Sequence, residues 1–277
     1  MIKYLFYLTN IKMTSRKIVA IGWWENGRIK EWNRLPYETA PMDQEIIRLT
    51  WKEHPNFLLL AHSQPLERQE FYFTTMRDIY GEKYGCECKD LKSDKLTDAE
   101  YVKEIIEWAD IIYEWWWDTL NMIKLWKETW FDEILRKAWE SGKVMCGVSA
   151  WWNCRFNKCS SDSLKIMYWP DQPLIWMDCL WFVDWLFVPH ADEPGRQESV
   201  KELLEKEENE IWFLLSNCAA LEIVDDEYRL ITSTDAPNHG LEKAFWKKTY
   251  RKNWKYIEEI IEESNEFKKL SELYSKF

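Results

Sequence analysis

The 277-residue chain is long enough to bury a sizeable core, as one large α/β domain or two small ones. With 46% hydrophobic and 31% charged residues its composition is ordinary for a globular protein, and a net charge of −11 argues against general nucleic-acid binding, which needs clustered Lys and Arg. No apolar run approaches the roughly 18–20 residues of a transmembrane helix, and the seven scattered cysteines lack paired CxxC spacing, which favours free thiols in a reducing cytoplasm over disulfides or a zinc site.

The N-terminal stretch has too short an apolar core for a signal peptide. Met13 shortly precedes the first strand, so residues 1–12 read as an extension and 13–277 as one domain without repeats or a Ser/Gly/Pro-rich linker. Residues 17–22 form the first buried strand. Residues 42–53 have helical spacing, with Ile46, Ile47 and Leu49 apolar. A second strand, 55–62, ends in His62, and a helix covers 66–80. The third strand is 85–91, and an amphipathic helix follows from a Thr97/Asp98 cap to Trp108. A strand at 110–114, helices at 119–127 and 131–141, and the apolar strand 144–148 complete the first half. Such alternation of short apolar strands and helices predicts an α/β fold, its sheet mostly parallel with helices on both faces. Beyond it come a strand ending in His190, a charged helix over 195–208, short strands at 211–216, 219–224 and 228–231, a turn at 253–256 and a solvated helix over 257–273. Ligands in parallel sheets bind at the carboxyl ends of the strands.

Tryptophan usage is anomalous. Twenty Trp stand beside eight Gly, where average usage gives about 19 glycines. Many of the tryptophans follow strands at places that suit glycine: Trp23-Trp24, Trp115-Trp116-Trp117, Trp151-Trp152, Trp169, Trp185 and Trp254. Trp108, Trp126 and Trp139 lie instead inside helical patterns, where glycine would cost about 1 kcal/mol. The pattern is that of a gene in which UGA means glycine, translated with UGA as tryptophan, so that about 17 of these residues are native glycines. A stacking surface for sugars or bases is the rival reading, but three consecutive residues cannot share one face. A chain carrying so many bulky turn residues is expected to fold poorly and to be inactive, because net stability is only roughly 5–15 kcal/mol.

Gly147-Val148-Ser149-Ala150 ends the strand 144–148 ahead of a helix-like stretch, the layout of a nucleophile elbow, although Trp151 stands where a G-x-S-x-G motif has its last glycine. A serine nucleophile needs a base and donors for the developing oxyanion. His190, at a strand end downstream of Ser149, is the best base among four histidines, with His62 in reserve. The oxyanion donors would be the backbone N–H of Ala150 and one from the loop 115–117.

With the tryptophans of the 115–117 loop and Trp151 read as glycine, these segments and Pro189-His190 resemble the peptidase E family over residues 14–235. These are cytoplasmic serine dipeptidases related to cyanophycinase and built like class I glutamine amidotransferases, so the resemblance implies a flavodoxin-like α/β three-layer sandwich. The resemblance implies hydrolysis of Asp-X dipeptides without cofactor or metal, on a small peptide substrate, with no nucleic-acid or membrane partner and with a homodimer as one assembly. It makes Ser149 the nucleophile, His190 the base, and the N–H groups of Trp116 and Ala150 the oxyanion donors. Asp118 replaces the usual Asn of the family's Gly-Gly-Gly-Asn loop and is read with Arg196 as substrate-binding. Arg196 resembles an arginine that receives the substrate aspartate's carboxylate; a solvated charge at a helix N-terminus is the plainer reading. For the third catalytic member Asp162, Asn217 and Asp192 stay open. The alternatives are an amide hydrolase of different substrate and a degenerate, non-catalytic binding protein on the same fold.

Overall fold

The computed structural model describes residues 15–22, 25–115, 118–149, 154–168, 171–183, 185–205, 210–233 and 244–274. In chain order, β1 (Lys17–Ile21) leads into the small hairpin β2 (Ile29–Lys30) and β3 (Asn33–Arg34). Next come α1 (Ala40–Leu49), β4 (Asn56–Leu60), α2 (Leu66–Tyr80), β5 (Glu87–Leu91), α3 (Ala99–Trp108) and β6 (Ile111–Glu114). They are followed by α4 (Thr119–Thr129), α5 (Phe131–Glu140), β7 (Val144–Val148), β8 (Lys158–Ser161), α6 (Ser163–Met167), β9 (Ile175–Asp178), β10 (Leu186–Val188) and α7 (Arg196–Leu204). The last elements are β11 (Ile211–Leu215), β12 (Ala219–Val224), β13 (Glu227–Thr232), β14 (Trp246–Lys252), β15 (Lys255–Ile261), β16 (Lys268–Lys269) and α8 (Leu270–Leu273).

The larger sheet has the order β16-β13-β12-β1-β7-β6-β4-β5. Its β1, β7, β6, β4 and β5 run parallel, and β12 pairs antiparallel with β1. Alternation along each strand sends side chains to two cores. Val19, Ile21, Phe57, Leu59, Ile111 and Tyr113 pack on one face with Met42 and Ile46 of α1 and Met76 and Tyr80 of α2. Ile18, Leu58, Leu60, Ile112 and Met145 pack on the other with α3, α4 and α5. Burial on both faces explains why these strands read as continuous apolar runs. The expected three-layer α/β sandwich is thus the fold, and α3 carries its expected cap, Asp98 accepting from Tyr101 N–H at 3.1 Å.

Two features differ from expectation. A second sheet, β15-β14-β11-β10-β8-β9, packs against the first, with Phe187, Phe213 and Leu215 joining the α3–α5 core. Its β8, Lys-Cys-Ser-Ser, is polar, and β9 is only four residues long, so neither carries a clear strand pattern. The segment expected as a helix over 257–273 is mostly extended: β15 pairs antiparallel with β14 from Lys255 to Ile261, and only α8 is helical. The turn joining them is Asn253-Trp254, both in the left-handed region at φ +52° and +65°. This is a two-residue type I′ connection, for which Asn-Gly is the preferred sequence.

Other tryptophans share that backbone. Trp32, Trp51, Trp130 and Trp181 have φ between +58° and +68°, and Trp130 is the left-handed residue that ends α4. Bulky residues rarely adopt this conformation, and at a helix C-terminus it is glycine's usual position. Trp185 departs from the strand-end expectation: it is buried, stacked on Phe156 and packed on Phe213, with no left-handed φ. Trp115 is buried against Tyr72. Positions 23–24, 116–117, 151–152 and 169 lie outside the described residues.

Candidate active site

Ser149 follows β7 at the carboxyl edge of the parallel sheet, flanked by β1 and β6. Its φ is +68°, the strained geometry of a strand-to-helix elbow. Its N–H donates to Gly22 O at 2.7 Å, which ties the elbow to the end of β1. Gly22 has to be glycine for a steric reason: a Cβ there would lie 2.3 Å from Ser216 O. The close approach lets the end of β11, and Asn217 beyond it, come in beside the serine.

His190 follows β10 at φ +52° and is 5% exposed. Its Nε2 lies 2.6 Å from Ser149 Oγ, and its Nδ1 lies 2.8 Å from Asn217 Oδ1. Burial lowers its pKa below the usual histidine value, opposed by the nearby Glu193 carboxylate, whose Oε1 is 3.7 Å from Nδ1. The imidazole is therefore neutral at pH 7, as a general base must be.

Of the three residues left open as partner of His190, the fold brings Asn217 to the ring. Asp192 sits one step behind, accepting from Asn217 N at 2.7 Å and from Asn217 Nδ2 at 2.9 Å. Asp162 lies ahead of α6 and pairs with Arg196 Nη2 at 2.9 Å. Arg196 is 4% exposed and also lies 3.6 Å from Glu193 Oε2, so the reading of a solvated helix-end charge is corrected. Asp162 Oδ1 and Arg196 Nη1 are both buried and have no hydrogen-bond partner among the described residues.

Asp118 lies at the start of α4. Its Oδ1 caps α4, accepting from Leu120 N and Asn121 N, and its Oδ2 accepts from Asn121 Nδ2 at 2.6 Å. Trp116 and Ala150, the expected oxyanion donors, lie outside the described residues. The flanks of both loops are held together by a pair that sequence reasoning missed. Arg155 Nη2 donates to Glu114 Oε1 at 2.6 Å, both side chains being buried. Burial pushes the Glu114 carboxyl up to about 8, against the pull of Arg155. Glu114 in an otherwise apolar strand was the available signal.

His62, the reserve base, is elsewhere engaged. It receives the Trp126 indole N–H at Nδ1, 2.9 Å away, and its Nε2 lies 2.7 Å from Leu91 O. No group of three or more metal-ligating side chains occurs among the described residues, and no helix among them is long and apolar enough to cross a membrane.

A neutral buried imidazole on an elbow serine can make that serine a nucleophile. Comparison with known proteins agrees with hydrolytic chemistry. The model of peptidase family S51 matches residues 35–231. The uncharacterized peptidase YgaJ of Bacillus subtilis (strain 168) is 29% identical over 196 residues, covering 69% of this chain and 78% of YgaJ. A peptidase from an acI-B1 actinobacterium has a similar fold, with a TM-score of 0.61 and 17% identity over 92% of this chain and 97% of its own. A peptidase E candidate of Listeria monocytogenes EGD-e aligns with a TM-score of 0.56 and 15% identity, covering 79% of this chain and 98% of its own. With its family model spanning residues 35–231, most of the chain, the protein belongs to peptidase family S51.

Proposed function

We propose that this peptidase is serine-type, cleaves Asp-X dipeptides, and in its source carries glycine at most of its tryptophan positions. The observation that carries the first part is the 2.6 Å contact between Ser149 Oγ and His190 Nε2. His190 takes the hydroxyl proton as Oγ attacks the scissile carbonyl. The N–H groups of residues 116 and 150 receive the oxyanion, and His190 returns the proton to the leaving amine. Water then hydrolyses the acyl-enzyme by the same route.

The dipeptide preference is supported by the Asp162–Arg196 pair. Arg196 Nη1 is a buried donor without a hydrogen-bond partner among the described residues, suited to the substrate's side-chain carboxylate. Asp162 Oδ1 is a buried acceptor likewise unpartnered among the described residues, suited to its terminal ammonium. The glycine reading is supported by the five tryptophans in the left-handed region, Trp32, Trp51, Trp130, Trp181 and Trp254. Glycine in 115–117 would let the oxyanion loop approach the substrate closely.

The test is an assay of Asp-X dipeptides with protein made under the source's own code, alongside Ser149→Ala. Release of free aspartate, lost in the variant, is the expected result. Masses of tryptic peptides from that protein test the glycine reading separately: the peptide holding 115–117 should be lighter by three Trp-to-Gly decrements. An unshifted mass refutes the recoding, and aspartate release that survives Ser149→Ala refutes the nucleophile.

A further inference from the structure

We propose that Asp192 is a positioning residue that sets the tautomer of His190 by fixing which end of the Asn217 amide faces the ring. A side-chain amide presents a donor at one end and an acceptor at the other, and of itself prefers neither orientation. A carboxylate only accepts. Asp192 Oδ1 accepts the Asn217 backbone N–H at 2.7 Å, and its Oδ2 lies 2.9 Å from the side-chain nitrogen. These two bonds leave the amide one orientation, with Oδ1 toward His190 Nδ1 at 2.8 Å. An amide oxygen also only accepts, so Nδ1 carries the ring proton. The bare nitrogen is then Nε2, 2.6 Å from Ser149 Oγ.

Without Asp192 the amide is free to turn over. Nδ2 would then face Nδ1, the ring proton would move to Nε2, and the imidazole would donate toward the serine instead of accepting from it. Asp192 also keeps a negative charge one amide away from the imidazolium that forms when the serine is deprotonated. The other charges near the ring are Glu193, 3.7 Å from Nδ1 and half exposed, and the Arg196–Asp162 pair. Glu193 is the competitor for the same role, though its distance is too long for a hydrogen bond.

The consequence for rate rests on Ser149 and His190 being nucleophile and base; the tautomer does not. The experiment therefore reads both. In the full-length protein, imidazole 15N shifts should show His190 protonated at Nδ1 and bare at Nε2. Asp192→Asn should populate the opposite tautomer and lower kcat by between about 10-fold and 10⁴-fold, the upper figure being that of a triad locked in the wrong tautomer, with KM little changed. Exchanging the groups, Asp192→Asn with Asn217→Asp, should restore the Nδ1–H tautomer and most of kcat. The new carboxylate at position 217 then accepts from Nδ1–H and from the new amide at position 192. Glu193→Gln should leave the tautomer unchanged.

A parent protein with Nδ1 bare overturns the proposal. So does an Asp192→Asn variant with unchanged shifts, or an exchange variant that stays in the wrong tautomer. If the shifts follow expectation while no form hydrolyses peptides, the positioning role stands and the peptidase reading of the site fails.

Discussion

The ends of β4 and β10 make an instructive pair. Each strand runs into a histidine, and both rings are almost wholly buried with both nitrogens engaged. Yet they hold opposite tautomers. At His62 the indole of Trp126, which can only donate, occupies Nδ1, so the proton sits on Nε2 and is donated to Leu91 O. At His190 an amide oxygen occupies Nδ1, the proton sits there, and Nε2 is left to accept from Ser149. Burial lowers the pKa of both, that of His62 to about 4. With His190 as the base proposed above, what separates it from a packing histidine is neither its place in the strand nor its burial. It is whether the proton acceptor faces a hydroxyl held by an elbow.

The strongest way to break this comparison is to remove each ring. His190→Ala should lose on the order of 10⁶-fold in kcat, the scale seen when a working serine–histidine unit is broken, while the folded protein persists. His62→Ala should lose stability instead and keep its kcat per folded molecule. Steady-state kinetics beside urea unfolding checks both. Loss of chemistry in the His62 variant at unchanged stability would reverse the assignment.

Much of this was legible in the sequence, and the reasons it stopped are physical. The turn that holds Ser149 was readable because it is a local device: a buried strand, a small residue and a turn lie within a few positions. His190 was readable from its strand end, but so was His62, because their partners come from segments 27 to 64 residues away. The choice among Asp162, Asn217 and Asp192 was closed to the sequence for the same reason. It depends on how closely β11 approaches β1, which Gly22 permits through its missing side chain. The turn at Asn253-Trp254 is legible, but the stretch after it suggests a helix because Ile257, Ile260 and Ile261 stand at helical i, i+3, i+4 spacing, while the pairing with β14 that makes 255–261 a strand leaves no such local mark.

The two tautomers predict different pH behaviour. The folded pKa of His62, about 4, lies below the free value of about 6.5, so the folded state favours the neutral ring. Its stabilising contribution is complete above about pH 6.5 and disappears as pH falls toward 4, a loss of about 3 kcal/mol. Urea unfolding of the parent and of His62→Gln, at pH 7 and pH 4, should show this part of the acid destabilisation missing from the variant. The lowered pKa of His190 should instead appear in kcat/KM, whose acidic limb is expected below pH 6.5. Equal acid sensitivity of parent and His62→Gln would show that His62 is not the titrating group.

A smaller effect sharpens the His62 side. Trp126 is fully buried and is the donor that sets its tautomer. Trp126→Phe keeps most of the packing but leaves a buried acceptor unpaired, which should cost about 1–3 kcal/mol. Peptide hydrolysis per folded molecule should not change. A neutral outcome in the unfolding curve would mean that the ring turns over and finds another donor, so the tautomer at His62 is not fixed by the indole.

The smallest prediction extends the comparison from histidines to tryptophans, since Trp126 and Trp254 bear the same letter in opposite settings. Trp254 is 77% exposed at φ +65°, in the β14–β15 turn, and its ring lies 5.3 Å from the Arg251 guanidinium. Glycine there relieves about 1–2 kcal/mol of left-handed strain, gives back about 0.5–1 kcal/mol in chain entropy, and forfeits roughly 0.5 kcal/mol of exposed cation–π contact. Trp254→Gly should therefore be neutral to slightly stabilising, raising Tm by about 0–3 °C. Trp126→Gly should cost more than 3 kcal/mol, because it empties a packed core. If both substitutions destabilise by similar amounts, the turn does not require glycine and the recoding argument loses its structural support. If they diverge in sign, one letter is serving two residues in this chain.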